Sequence, residues 1–316
     1  MNTTNKKGVD ISYANGNIDL NKVKEAGYDF VMIRCGYGSD IRSQDDAQFE
    51  NNVRKAEAIG MPWGVYLYSY AVNTDQARSE VEHVKRLLKG KKPTMPVALD
   101  VEDTAWYQKY GCYNRAALSS IVGTFISGIK AAGFYPMIYT GYYEIRDYLT
   151  DDVVNSCDIW LAEWGRYPDY NASNLGMWQY GGETNLIESN SISGVGVIDK
   201  DRCYKDYPTI IKNGGYNGWS KGSAPDSSDD TKEVTCTLTF NYLARSGYTS
   251  TGAQVRTAQI LLNGNGYKGA DGSALEVDGI FGANTDHAVK KFQSAKNLIS
   301  DGIIGPETWK KLTGAN

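Results

Sequence analysis

Short β-rich runs alternate with helical patterns over roughly the first 210 residues, and few folds accept such a chain. KGVDIS (7–12) precedes the helical IDLNKVKEAG, and DFVMIR (29–34) precedes the polar helix DDAQFENNVRKAEAIG. WGVYLYSY (63–70) leads into TDQARSEVEHVKRLLKG, a helix expected to open with Thr74 or Asp75 as its N-cap and to stop at Gly90. PVALDVE (96–102) is followed by NRAALSSIVGTFISGIKAAG, and PMIYT (136–140) comes next. DIWLAEW (158–164), GMWQY (176–180) and GVGVIDKD (194–201) are strand-like with little helix between them. Repeated βα units with right-handed crossovers close into a barrel or wind into an open sheet. Eight strand candidates in so short a stretch favour an α/β barrel whose last three strands lack full helices, because a regular eightfold barrel usually needs more residues.

Residues 213–235 mix Gly, Ser, Asp and Pro without a hydrophobic period, the composition of a linker. The expected domains are therefore 1–212 and 236–316. The second carries an internal repeat: DGIFGANTDHAVKKF from Asp278 and DGIIGPETWKKL from Asp301 share D-G-I-x-G-x-x-T before a short amphipathic helix. The D-G turn and second glycine supply tight backbone, and Thr285 and Thr308 fall in the first helical turn or at its cap. With QVRTAQILLNGNG ahead of them, these segments predict a compact three-helix module, too small to enclose a catalytic pocket.

Several functions are poorly supported. Lys+Arg of 33 against Asp+Glu of 37 gives a net charge of -4, so nucleic acid is not an expected partner. No apolar run approaches the ~20 residues that span a bilayer, so membrane insertion is not expected either. The five cysteines are widely spread with no CxxC pair, which argues against a disulfide framework or a zinc-thiolate site. The two histidines, His83 and His287, read as surface or helix-face residues, so catalysis built on imidazole is a poor fit. The opening MNTTNKKGVDIS has no apolar stretch of the secretory kind, so synthesis in the cytoplasm is expected.

Acidic residues carry the strongest signal. In LDVEDT, Asp100 and Glu102 lie two apart on an extended strand and share one face. If that strand belongs to a barrel, the face is the interior and the position is the C-terminal end, where such barrels place their chemistry. Solvent-facing loop acids or helix caps are the plain alternative. Asp10 closes the first strand and Asp199 lies near the end of the last, so in a closed barrel the two could meet beside Asp100 and Glu102. Four acids without histidine fit glycoside hydrolysis, one carboxylic acid protonating the leaving oxygen and another stabilising or attacking the sugar cation. A cation site built from the same acids competes with that reading. Repulsion from Asp100 is expected to raise the pKa of Glu102 and keep it protonated near neutral pH.

Tyr 23 and Trp 7 are high for this length. Tyr66 and Tyr68 share a face of WGVYLYSY, Tyr139 ends PMIYT, Trp160 lies in IWLAEW, and Gln179 follows Trp178 in MWQY. Their place near strand ends beside the acids makes them candidate sugar contacts as well as candidate core.

These residues resemble a known family. GVDIS, GVYLYSYA, LDVE, IYTG, IWLAEW, WQYGG and IDKD, in that order over roughly residues 5–210, are similar to glycoside hydrolase family 25, the N-acetylmuramidases of phage endolysins and bacterial autolysins. The resemblance implies a modified TIM-like barrel of five βα units and three further strands. It implies Glu102 as general acid and Asp100 as the residue that orients or stabilises the 2-acetamido group or the sugar cation. Asp10 and Asp199 would complete the pocket, with Tyr66, Tyr68, Tyr139, Trp160 and Gln179 lining the groove. IDKDRC departs from the family, which more often has a hydrophobic residue between and after the two acids. The choice between Asp199 and Asp201 stays open, with Asp199 favoured. Attack by the acetamido group and attack by water on the opposite face both remain open.

The C-terminal QVRTAQILLNGNGY, VDGIFGANTDHAVKKFQ and SDGIIGPETWKKL resemble the type 1 peptidoglycan-binding domain. Together the resemblances imply a cell-wall lysozyme of the endolysin kind, released to act on bacterial peptidoglycan, with no cofactor and no metal. A chitinase-like glycosidase and a non-catalytic wall-binding protein are the alternatives.

Overall fold

The structure, a computed structural model, describes residues 3–165, 167–170, 172–221, 243–245 and 250–314. It divides into two compact units, Met1–Lys232 and Glu233–Asn316.

The first unit is an eight-stranded closed barrel. Its strands are β1 (Thr3–Ile11), β2 (Phe30–Tyr37), β3 (Trp63–Tyr68), β4 (Val97–Val101), β5 (Pro136–Gly141), β6 (Asp158–Ala162), β7 (Leu175–Gly181) and β10 (Asp199–Lys205); β8 (Ser191–Ile192) and β9 (Gly196–Val197) form a separate two-stranded ribbon. The barrel order is β1-β10-β7-β6-β5-β4-β3-β2. Strands β1 to β7 run parallel to their neighbours, whereas β10 is antiparallel to both β7 and β1. Helical segments follow each of the first five strands, and β6, β7 and β10 close the barrel without a long intervening helix.

The helices form where the apolar spacing demands. In α5 (Arg115–Ala131), Leu118, Ile121, Val122, Phe125, Ile126 and Ile129 recur at helical spacing and are all buried. Asn114 caps that helix through the Ala117 N–H. The helix α3 (Thr74–Leu87) is capped by Asn73, one residue before the expected cap, because the Asn73 side chain accepts the Gln76 N–H at 3.0 Å. His83 in α3 is buried rather than superficial: its ring bonds the Gly38 carbonyl and Asp45, pinning the β2–α2 loop to the helix, where α2 is Phe49–Ala58.

The strand GVGVIDKD is displaced from its expected place. Val197 belongs to the ribbon, and the barrel strand starts at Asp199. Because β10 runs backwards, its beginning, and not its end, lies at the mouth formed by the C-terminal ends of the parallel strands.

Residues 213–221, expected to be linker, belong to the barrel. Helix α7 (Tyr207–Gly214) closes the floor with Tyr207 and Ile211. Beyond it Asn217 is fully buried, donating to the Pro93 and Met95 carbonyls and accepting the Tyr135 N–H. Such a buried amide satisfied on both sides is a fixed element despite its Gly-rich surroundings.

In the second unit, α8 (Ala253–Gly264), α9 (Ala283–Ala295) and α10 (Pro306–Thr313) enclose a core of Val255, Leu262, Phe281, Val289, Phe292, Ile304 and Trp309. The repeated motif has a common device. The Gln259 amide donates to Asp278, the Ile280 carbonyl and Thr285, and its oxygen accepts the Gly279 N–H. Gln293 makes the same four bonds with Asp301, Ile303, Thr308 and Gly302. Gly279 and Gly302 both have positive φ, near 77° and 78°, which is why glycine follows the aspartate.

Candidate active site

Period-two alternation along the barrel strands sends every second side chain to the axis. Deep in the barrel these are apolar: Phe30, Met32, Ala98, Met137, Met177 and Cys203. At the mouth the same alternation delivers charge. The rim cavity, about 440 Å³, is lined by Asp10, Asp100, Glu102 and Asp199, by Tyr66, Tyr68, Tyr139, Trp160, Trp164 and Gln179, and by Arg34 and Glu183. All nine residues singled out from the sequence therefore line one cavity.

Asp10 and Asp199 are directly paired across the antiparallel β1–β10 ladder. They face the Asp100–Glu102 strand across the mouth rather than sitting beside it, because β2 and β3 lie between β1 and β4. Asp199 lines the cavity, whereas Asp201 is fully buried beneath it and accepts the Trp160 indole N–H at 2.8 Å.

A hydrogen-bond chain fixes the floor of the site. The Gln179 amide donates to Asp10 at 2.9 Å, and its oxygen accepts from both the Tyr139 hydroxyl and the Trp164 indole at 3.0 Å. The Gln179 side chain is thus held in one orientation by a donor bond and two acceptor bonds. Below Tyr68, the fully buried Glu80 of α3 accepts the Tyr70 and Ala71 N–H groups at 2.9 and 3.0 Å, together with the Ser69 hydroxyl. Burial pushes Glu80 up to about 7.

The electrostatics separate the acids. Burial raises Asp10 and Asp201, each further lifted by neighbouring carboxylates, and a proton shared between them relieves that repulsion. Asp100 is raised by burial and then by Glu102, but the Arg34 guanidinium pulls the other way. Glu102 is raised by burial and then by the Asp199 carboxylate. The repulsion expected between Asp100 and Glu102 is present, and Asp199, which faces Glu102 over the mouth, adds to it. Asp199 is itself pushed up to about 6 by burial, with help from Glu183. Both acids of this strand are raised, the buried Asp100 the more strongly, so the pair holds a proton at the rim where a leaving oxygen could take it. Among the described residues no group of three His, Cys, Asp or Glu side chains is placed to hold a metal ion.

Residues 9–188, more than half of the chain, match the glycosyl hydrolases family 25. The chain belongs to that family. This family 25 chain also matches a putative peptidoglycan binding domain over residues 251–312. It is 27% identical over 304 residues to an autolytic lysozyme of Clostridium acetobutylicum, covering 96% of this chain and 77% of the relative. It is also 48% identical over 63 residues to part of a zinc D-Ala-D-Ala carboxypeptidase of Streptomyces albus G, covering 20% of this chain and 24% of that one. The fold matches the modular autolysin LytC of Streptococcus pneumoniae with a TM-score of 0.55 at 25% identity, over 63% of this chain and 47% of the other. This chain therefore aligns with about half the length of that autolysin. Membership makes the chain a glycoside hydrolase of the lysozyme, or muramidase, kind.

Arg34, Trp164 and Glu183 are among the lining residues not anticipated from sequence. Arg34 follows Phe30 and Met32 at the same inward spacing, so alternation alone would have found it. Trp164 continues the parity of Trp160 but lies past the end of β6, and Glu183 lies in a loop past β7 where no period applies.

Proposed function

We propose that this family 25 chain hydrolyses the β-1,4 bond between N-acetylmuramic acid and N-acetylglucosamine in bacterial peptidoglycan, with its C-terminal module holding the barrel on the wall. The observation that carries the reading is the placement of two acids of one strand in the same rim cavity: Glu102 at its accessible edge, Asp100 buried one inward position deeper. Glu102 donates its proton to the departing glycosidic oxygen, and Asp100 supports the positive centre that develops in the sugar. Asp100 Oδ1 is buried with no partner among the described residues, leaving it free to accept the N–H of a 2-acetamido group. Asp10 and Asp199 complete the acidic wall, and Tyr66, Tyr68, Tyr139, Trp160 and Gln179 bound the sugar site. The tethered module raises the local concentration of substrate without chemistry of its own.

The cellular role we propose is that of an endolysin, folded in the cytoplasm and acting on the wall after release. Cys35, Cys112 and Cys157 are free thiols, which suits folding in a reducing compartment. Cytoplasmic expression tests it: lysis is expected only when a membrane-permeabilising protein is supplied as well, and lysis without one would overturn the role.

The chemistry is tested by digesting purified peptidoglycan, reducing the products with borohydride and identifying the sugar ends. Reduced muramic acid ends, absent with Glu102→Gln, are expected. Reduced glucosamine ends would place the cut at the other bond, and new amino groups without sugar ends would remove the glycosidase reading.

A further inference from the structure

We infer that Arg34 and the cavity beside it form the site for the lactyl–peptide arm, the substituent that distinguishes N-acetylmuramic acid from N-acetylglucosamine. The inference rests on the muramidase reading above and assigns one part of that substrate to a place in the protein.

A second cavity of about 560 Å³, walled by Tyr13, Tyr37, Tyr70 and Asp46, opens next to the acidic one; Arg34 and Tyr68 line both. Arg34 is the one cation among the described residues that line either cavity. It is also held in place. Its Nε donates to Asp46 Oδ2 at 2.8 Å, and its guanidinium lies 4.7 Å from the centre of the Tyr13 ring. Asp46 is buried and in turn fixed by the Tyr13 and Gln48 N–H groups at 3.0 and 2.9 Å. With the fork anchored along one edge, Nη2 is buried and has no acceptor among the described residues. An unmet buried donor is costly, and a pinned one cannot turn away to find relief. Such a group is accounted for if the substrate brings the acceptor.

The choice of acceptor follows from ring chemistry. Both sugars of the glycan carry the 2-acetamido group that Asp100 is placed to receive, so that group cannot be what sets Arg34 apart. The muramyl ring alone bears, on the adjacent carbon, an ether-linked lactyl unit ending in a carbonyl oxygen. Arg34 and Asp100 flank β3 from either side, paired with Tyr66 and Tyr68, and line the same cavity, so an arm leaving the ring beside the acetamido group meets the guanidinium next. Its carbonyl oxygen accepts from Nη2, and the peptide attached there runs on into the second cavity against Tyr13, Tyr37 and Tyr70. A chitin-type ring offers only a hydroxyl at that carbon and leaves Nη2 unmet, which is the kind of mismatch that gives strong discrimination.

The test uses the full chain with Glu102→Gln to prevent turnover, and calorimetric binding of two soluble ligands: the (GlcNAc–MurNAc)₂ tetrasaccharide with a dipeptide amide-linked to each lactyl unit, and chitotetraose. Adding Arg34→Met is expected to weaken the muramyl ligand by roughly 10–100-fold while chitotetraose changes by less than about twofold. The Arg34 charge on Asp100 affects both ligands alike, so the ratio isolates the arm. Arg34→Lys engages its single ammonium with Asp46 and is expected to show the same selective loss with a melting temperature close to that of the parent. This second variant separates lost recognition from lost folding. Equal weakening of both ligands, or no weakening of the muramyl ligand, overturns the inference. If instead the protein with Glu102 intact cleaves chitotetraose as readily as the muramyl tetrasaccharide, it is the muramidase reading that fails.

Discussion

The two ends of the barrel use aspartate in opposite ways. At the floor, Asp158 points inward from the start of β6 and is surrounded by donors: the Tyr135 and Tyr207 hydroxyls at 2.9 Å and the Lys205 ammonium at 2.6 Å. At the mouth and just beneath it, Asp10, Asp100 and Asp201 are just as buried but lie among other carboxylates, and Asp100 Oδ1 lacks a partner among the described residues. The same side chain therefore welds one end shut and leaves the other loaded. A buried carboxylate with matched partners is structure; one among like charges is held there by the rest of the fold and is available to a substrate.

That contrast can be broken from either side. The largest effect is expected at the mouth: Glu102→Gln should lower kcat by about 10²–10⁴-fold, the range for losing a general acid, with no loss of melting temperature. At the floor, Asp158→Ala should do the reverse. It leaves a lysine and two hydroxyls unpaired, so chemical denaturation should show a loss of about 3–5 kcal/mol, with kcat/KM nearly unchanged while the protein is folded. A large activity loss with Asp158→Ala and intact stability would erase the distinction between the two ends.

Glu80 tests an intermediate case, a buried acid with hydrogen bonds but no cation. Its folded pKa of about 7 lies above the ordinary glutamate value, so the folded state holds the proton more tightly than the unfolded one. Its contribution is fully present below the unfolded pKa and is lost as pH rises through about 7. Glu80→Gln, which cannot ionise, should therefore gain stability relative to the parent between pH 5 and pH 8, by up to about 3 kcal/mol. A pH-independent difference in urea midpoints would show that Glu80 does not titrate there.

The smallest effect concerns only pH. Because the Asp199 charge raises Glu102, Asp199→Asn should move the alkaline limb of the kcat/KM profile to lower pH. An unmoved limb, or one moved to higher pH, would show that Asp199 does not act on the acid.

Much of this arrangement is legible in the sequence. Asp100 and Glu102 obey a period of two, and the βα alternation indicated which end of their strand mattered. Position across the mouth was less accessible, because it depends on β10 running antiparallel, and nothing in GVGVIDKD marks its direction. The same strand shows why Asp199 and Asp201 could not be separated: they share a face, and only depth in the barrel distinguishes rim from interior. Asn217 misled for a different reason. Its Gly-rich surroundings read as linker, while its amide is satisfied by carbonyls 124 and 122 residues away in sequence.

The twin glutamines of the binding module carry a consequence for how such a domain can vary. Gln259 reaches its aspartate across 19 residues and Gln293 across 8, yet the bonds they make are the same. The fit belongs to the loop and the helix face, so the chain running between them is free to lengthen. Residues 271–274, exposed at the tip of the longer connection, are where a peptide tag or a foreign segment could be spliced in without disturbing the fold.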